Sequence, residues 1–226
     1  MSDEEMAVDV AGERIELMPE RGAHWREGGA MLVSDLHLGK SGVFRAAGIA
    51  VPDGDAHEQL DRLAQGLART RAERLIIIGD LLHAPAGLTP SLVEAVAAWR
   101  KRHTQDWLVV PGNHDRRLED LTDAWRLDIK PEIYTEGPFR FRHEPAIGPG
   151  TPTDGFVWSG HTHPAVRLRL ATGSVRLPAF VIGPHRAILP AFSRFTGGVV
   201  HVPEPGDRLF AVTPNAVIEA PVELRA

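Results

Sequence analysis

Three short, unbroken apolar runs stand out in the first half of the chain: Ala30-Met31-Leu32-Val33, Leu75-Ile76-Ile77-Ile78 and Trp107-Leu108-Val109-Val110. Apolar runs of strand length with no polar alternation belong to strands buried on both faces, the habit of a partly parallel sheet. Between the first two, His57, Leu60, Leu63, Ala64 and Leu67 recur at helical spacing and predict an amphipathic helix, with Asp53 or Asp55 as its N-cap. Between the second and third, Thr89-Pro90 provides a cap-then-proline start, and Leu92, Val96 and Trp99 form the inward stripe. Arg100-Lys101-Arg102 then falls at the end that favours cations. A further strand is expected around Arg14 to Met18, and Gly39 to Asp55, rich in glycine, is expected to be a long loop. Strands alternating with helices, each strand followed by polar residues, are the α/β pattern, in which ligands sit beyond the carboxyl ends of the strands.

After about Ile129 the texture changes to short β-like runs broken by proline and glycine. They are Glu132 to Thr135, Phe139 to Arg142, Phe156 to Ser159, Ala165 to Leu170, Val175 to Ile182, Arg186 to Leu189 and Arg208 to Val212. These predict a second sheet packed on the first, with Glu144 to Gly155 as a loop. A four-residue echo, Leu177-Pro178-Ala179-Phe180 and Leu189-Pro190-Ala191-Phe192, is too short to define a repeat. At 226 residues and 43% hydrophobic, the chain can bury its core as one domain over residues 1–226. With 24% charged residues, no apolar run of bilayer length and an acidic Met1-Ser2-Asp3-Glu4-Glu5 start, it is expected to be soluble and cytoplasmic.

The polar residues that end these runs carry the chemistry. In order they are Asp35-Leu36-His37, Gly79-Asp80, Gly112-Asn113-His114-Asp115, His143 and Gly160-His161-Thr162-His163. The absence of cysteine excludes disulfides and thiolate metal sites, so any metal must be held by His, Asn and carboxylates. Such a donor set favours manganese, iron or zinc over magnesium or calcium. A formal charge of −5 is not the footprint of a protein that coats nucleic acid electrostatically, although bound dications would reverse the field locally.

Each motif has a plainer reading. Asp35-x-His37 alone could be a turn or cap, Asn113 and Asp115 could form an Asx turn, and a lone histidine such as His143 is more often structural than a ligand. On a strand end, however, residues i and i+2 point the same way, so Asp35 with His37 and His161 with His163 could each grip one ion. Asp80 has two oxygens and could bridge two ions. The conjunction of all five groups, in one order and mostly at strand ends, points to a two-metal site for phosphoester hydrolysis.

At these residues the chain resembles the calcineurin-like metallophosphoesterases, whose motif series D-x-H, G-D, G-N-H-D/E, H and G-H-x-H is intact between residues 35 and 163. Further segments resemble a narrower group, the bacterial ligase-associated DNA damage response endonucleases. They include Leu38-Gly39-Lys40, Phe44-Arg45, Val51-Pro52-Asp53-Gly54, the run from Gly160 to Leu168, and Leu189 to Phe192 with Phe195 to Gly198. The resemblance implies a four-layer α/β/β/α sandwich of two mixed sheets. It also implies that Asp35, His37, Asp80 and His163 bind one divalent metal and that Asp80, Asn113, His143 and His161 bind the other, manganese being favoured over iron or zinc. Water held between the two cations would ionise near neutral pH and attack phosphorus in line. His114 would stabilise the transition state or protonate the leaving oxygen.

Asp115 is expected to orient a histidine or to cap a helix, and Lys40 and Arg45 to contact substrate phosphate. Arg116, Arg117, Arg140 and Arg142 are weaker candidates for holding a nucleic-acid backbone. His83 follows Gly79-Asp80-Leu81-Leu82 and could lie near the site, although a structural or surface role is the preferred reading, and His24, His57, His103, His185 and His201 carry no ligand spacing. The implied activity is a DNA endonuclease in repair, associated with a DNA ligase system. Hydrolysis of a small nucleotide or nucleotide-lipid substrate, and a non-catalytic repair scaffold that keeps its metals, are the alternatives.

Overall fold

The computed structural model describes residues 6–51, 54–145, 155–171 and 173–221. The first sheet holds β1 (Met6–Val10), β2 (Glu13–Leu17), β3 (Ala23–Trp25), β4 (Ala30–Val33), β5 (Arg74–Ile78), β6 (Asp106–Val110) and β7 (Leu127–Ile129), in that order. Its first four strands pair antiparallel, and β4 to β7 run parallel. The helices α1 (Lys40–Ala46) and α2 (Asp55–Thr70) lie between β4 and β5, α3 (Pro90–Arg102) between β5 and β6, and α4 (Thr122–Trp125) between β6 and β7. The three continuous apolar runs are the three central parallel strands, as their lack of alternation predicts, because both faces are covered.

The second sheet is built from β8 (Ile133–Glu136), β9 (Phe139–Arg142), β10 (Phe156–Ser159), β11 (Pro164–Leu170), β12 (Gly173–Ile182), β13 (Arg186–Ile188), β14 (Val199–Val200), β15 (Arg208–Val212) and β16 (Val217–Ala220). Its main path runs β14-β11-β12-β13-β10-β9-β8, with β15 joined to β12 and β16. Aromatic residues fill the space between the sheets: Trp25 of the first meets Phe139 of the second edge-on at 5.0 Å, and Phe139 meets Trp158 at 6.0 Å. The other face of the first sheet packs on the helices through Met31, Ile77, Val109, Leu63, Val96 and Trp125.

The α/β class with two mixed sheets is thus what the pattern predicts. All helices among the described residues precede β8. The second sheet also gathers an apolar cluster of its own, including Val166, Val181, Ile188 and Leu209. The segment expected as a loop after Gly39 contains α1, two turns begun by Gly39 in left-handed conformation (φ 87°). Gly39 and Gly48 therefore flank a helix, and Gly42 is accommodated inside it. For α2 the N-cap is Gly54 (φ 97°) with no side-chain cap, Asp55 is the first helical residue, and His57 is exposed rather than on the apolar face. The Thr89 cap is as predicted, its hydroxyl accepting from the Leu92 N–H at 3.3 Å. Pro52, Asp53 and most of the expected loop from Glu144 to Gly155 lie outside the described residues.

Candidate metal centre

The exits of β4, β5 and β6 are laced together by main-chain hydrogen bonds that continue the sheet past its last regular residues. Gly79 N–H donates to Val110 O (2.7 Å), Asp35 N–H to Gly79 O (3.2 Å), His37 N–H to Asp80 O (2.9 Å) and Leu38 N–H to Leu81 O (2.8 Å). From the second sheet, the segment after β13 joins the same place, with Phe192 N–H donating to Ser34 O (2.8 Å) and Ser193 N–H to Asp35 O (3.2 Å). The polar residues read from the sequence as strand-end groups are therefore brought to one edge of the sandwich.

Two clusters form there. In the first, His37 Nε2 and His163 Nε2 are 3.2 Å apart, His163 Nε2 is 3.5 Å from Asp35 Oδ1, and His37 Nε2 is 3.8 Å from Asp80 Oδ2. In the second, three donor atoms surround His143 Nε2: Asn113 Oδ1 at 2.9 Å, His161 Nδ1 at 3.0 Å and Asp80 Oδ2 at 3.4 Å. The same oxygen of Asp80 serves both, so one carboxylate joins the halves.

The backbone that makes this possible is not extended strand. Asp35 (φ 53°), His37 (48°), Asp80 (42°), His161 (69°) and His163 (47°) are all left-handed, and they are five of the nine non-glycine residues with positive φ among the described ones. Each such residue costs on the order of 1–2 kcal/mol, and strain of this kind concentrates at functional sites. The expectation that Asp35 with His37, and His161 with His163, face one way through strand alternation is corrected here. Each pair converges because tight left-handed turns fold it inward. Close backbone approach at three glycines supports those turns, since a Cβ at Gly79, Gly112 or Gly160 would overlap His143, Asp80 or Asp35 respectively.

The electrostatics fit cations. Asp35 is fully buried and its Oδ1 makes no hydrogen bond among the described residues, nor do His37 Nδ1 and His143 Nδ1. Burial works to raise the Asp35 carboxyl, but the nearby imidazoles of His163, His143 and His37 hold it below the usual range. Burial, with the charge of Asp35, pushes Asp80 up to about 7, against the hydrogen bond it accepts from His114 N–H. Burial also brings His37 down to about 3 and lowers His143, which favours the neutral imidazole that ligates metal. Two buried carboxyl groups among imidazoles, with a buried oxygen left unpaired, form a donor set that a divalent cation completes.

His114 stands at the rim, its side chain 41% exposed. Its Nδ1 is 2.8 Å from His83 O, and its Nε2 is 4.0 Å from Asp80 Oδ2. Thus Nδ1 is anchored and Nε2 faces the cluster. His83, whose place after Gly79-Asp80-Leu81-Leu82 puts it within reach of the site although a structural or surface role is the reading the sequence prefers, stacks on His114 with ring centroids 5.5 Å apart and 13° between planes. Among the described residues Asp115 neither hydrogen-bonds an imidazole nor caps a helix. Its carboxylate accepts from the N–H groups of Leu82 (2.8 Å), Gly112 (2.9 Å) and Leu81 (3.3 Å), tying the turns after β5 and β6 together.

Lys40 is half-buried and close enough to lower His37 and His83 electrostatically, whereas Arg45 is exposed and lines a separate cavity with Gly54, Asp55 and His57. Arg142 lies beside His143 and Asn113, while Arg117 pairs with Asp120. The histidines without ligand spacing have other places. His24 pairs with Glu16, His103 stacks on Trp99, His201 meets Asp207, and His57 and His185 are exposed.

A family model for calcineurin-like phosphoesterases matches residues 30–168. No curated protein matches the sequence. Among solved structures, the nuclease MPE of Pseudomonas putida is similar over 95% of this chain and 100% of its own, at 32% identity and a TM-score of 0.79. Yfce, a phosphoesterase from E. coli, matches 86% of this chain and 99% of its own, at 16% identity and a TM-score of 0.44.

Proposed function

The chain belongs to the calcineurin-like phosphoesterase family and is a metal-dependent phosphoesterase, and from that premise we propose that it cleaves DNA phosphodiester bonds at a two-cation centre. The observation that carries this reading is the shared Asp80 oxygen, 3.8 Å from His37 Nε2 and 3.4 Å from His143 Nε2. Asp35, His37, Asp80 and His163 would hold one cation, and Asp80, Asn113, His143 and His161 the other, manganese being the first candidate. A pair of bound divalent cations supplies Lewis acidity toward phosphoryl oxygens and acidifies water.

The remaining steps fall to the chain's own side chains. With Nδ1 held at His83 O, the His114 ring presents Nε2 toward the centre, where it can stabilise negative charge or give a proton to the leaving oxygen. Lys40, beside His37 and His83, is placed to attract the anionic substrate. Asp115 keeps the loops of Asp80 and Asn113 in register.

The likeness to a nuclease over nearly the whole chain favours DNA over a small nucleotide or lipid-linked ester, and the sequence resemblance favours an intracellular repair role beside a DNA ligase system. The test is a panel of manganese-dependent hydrolysis on single-stranded DNA, cyclic nucleotides and a chromogenic diester, run with wild-type protein and Asp80→Asn. Cleavage of DNA by the wild type, with loss of activity and of bound metal in the variant, is expected. Turnover of the small esters alone would reject the nuclease assignment.

A further inference from the structure

Beside His163 the surface opens into a cavity of about 160 Å3 whose charged walls are Arg21, Arg176 and Arg194, with no carboxylate among its lining residues. The three come from distant parts of the sequence: the turn between β2 and β3, strand β12, and the segment after β13. Their placement is built rather than incidental. Arg21 has a left-handed backbone (φ 65°), and its guanidinium donates to the carbonyls of Ser193 (2.9 Å) and Ala191 (3.2 Å), which fixes it against the cavity wall. Arg176 sits directly across from Arg167 on β11 and forms no ion pair among the described residues. Like charges directly opposite on neighbouring strands are destabilising, so the fold tolerates a cost at this position.

The local charge is unbalanced as well. Arg21, Arg62 and Arg194 repel one another around Glu58, which lies 2.6 Å from Arg194 and 3.4 Å from Arg62, and Asp55 is the other acid that acts on Arg62. Burial and the charge of Arg194 bring Arg21 down to about 10, which still leaves it protonated at neutral pH. An anion entering the cavity would relieve that repulsion. Apart from His163 and Thr196, the rest of the lining is apolar or small, including Pro164, Leu177 and Pro178, a floor suited to a sugar or base.

Size selects the kind of anion. Sites that enclose a whole small ligand run to roughly 300–1,000 Å3, so this cavity suits one unit of a longer molecule whose remainder lies elsewhere. Its neighbour at the opposite cluster, about 280 Å3 beside Asn113 and His143, carries Arg142 but also Glu132 and Glu144, and lacks the same excess of positive charge. We propose that the Arg21–Arg176–Arg194 cavity binds the phosphate of a nucleotide flanking the bond to be cut, so that a nucleic-acid strand runs from the metal centre past His163 into it. This rests on the phosphodiesterase reading and extends it from a reactive centre to a strand-binding track.

The experiment separates the two. Binding of a short fluorescent single-stranded oligonucleotide is measured by anisotropy in EDTA, from about 50 to 200 mM salt, for wild type, Arg176→Ala, Arg176→Glu and Arg194→Ala. Thermal melting of each variant confirms that it is folded. The expected result is an affinity loss of about three- to tenfold for Arg176→Ala and more for Arg176→Glu, with the salt slope of Arg176→Ala reduced by about 0.7. With manganese present, the loss in oligonucleotide cleavage should exceed the loss on a chromogenic diester by about fivefold or more. Unchanged affinity and slope in both Arg176 variants, or equal losses on the two substrates, would overturn the cavity's role. Failure of the wild type to hydrolyse the diester would overturn the phosphoesterase chemistry alone, because the metal-free binding measurement still decides the cavity.

Discussion

The backbone of Gly79 lies against the imidazole of His143, so close that a Cβ at position 79 would overlap Nδ1. Position 79 is also left-handed, at φ 79°, so two independent constraints meet there. Gly79→Ala should therefore displace His143 from Asn113, His161 and Asp80 while changing only one methyl group. We expect metal content to fall and diester hydrolysis to drop by about a hundredfold or more. Full metal occupancy and full activity in this variant, measured by elemental analysis and turnover, would remove His143 from the ligand set.

His114 is a different case, because its imidazole lies at the rim and its side chain makes no hydrogen bond to any of the seven proposed ligands. His114→Ala should keep the metal content of the wild type and lose about 100- to 10,000-fold in kcat, the range for removal of a positioned acid. Equal rates in the two proteins would exclude His114 from the chemistry. Loss of metal with activity would instead assign it a structural part in the centre.

The donor residues were legible in the sequence because their chemistry is concentrated in short motifs after apolar runs, and the structure brings all seven proposed ligands together. How they converge was not legible. The argument from strand alternation fails because Asp35, His37, His161 and His163 occupy left-handed turns, which depend on glycines and main-chain partners far away in the chain. Strands β4, β5 and β6 were legible from their unbroken apolar character. Strand β3 was not, since its central His24 is polar and is buried only because Glu16, on the neighbouring strand, meets it at 2.9 Å. The same limit hid the arginine cavity, whose residues share no motif and adjoin only after both sheets have formed.

Asp207 is the hub of a buried polar network in the second sheet region. It accepts from Arg186 Nη2 with both oxygens (3.1 and 3.0 Å) and from Glu204 N–H (2.9 Å), and its Oδ2 lies 3.1 Å from His201 Nε2. Asp207→Ala would leave the largely buried Arg186 with Glu204 as its remaining acidic partner. The expected loss is about 3 kcal/mol, at the lower end for breaking a buried pair, corresponding to a melting temperature lower by roughly 10 °C for a chain of this size. A shift within about 1 °C would show that the network contributes little beyond shape.

Glu136 ties the two sheets at their other end, and its contribution should depend on pH in a definite direction. Its carboxylate pairs with Arg74 of β5 at 2.7 Å and accepts from Tyr134 at 2.5 Å, while Arg74 also reaches the carbonyl of Gly28. Burial works to raise Glu136, but the hydrogen bonds from Arg74 and Tyr134 and the charge of Arg74 outweigh it and hold the group below its ordinary 4.5. A carboxyl depressed in the folded state stabilises the fold at pH values above its unfolded pKa, and that contribution fades as pH falls through the folded one. Glu136→Gln should therefore be less stable than wild type near neutral pH, by about 1 kcal/mol once the partial exposure of the pair is allowed for. The difference should narrow below about pH 4.5 as the wild-type carboxyl takes up its proton. Denaturant unfolding across a pH series measures this directly, and a gap that stays constant from neutral to acid would mean that shape, rather than charge, is what Glu136 contributes.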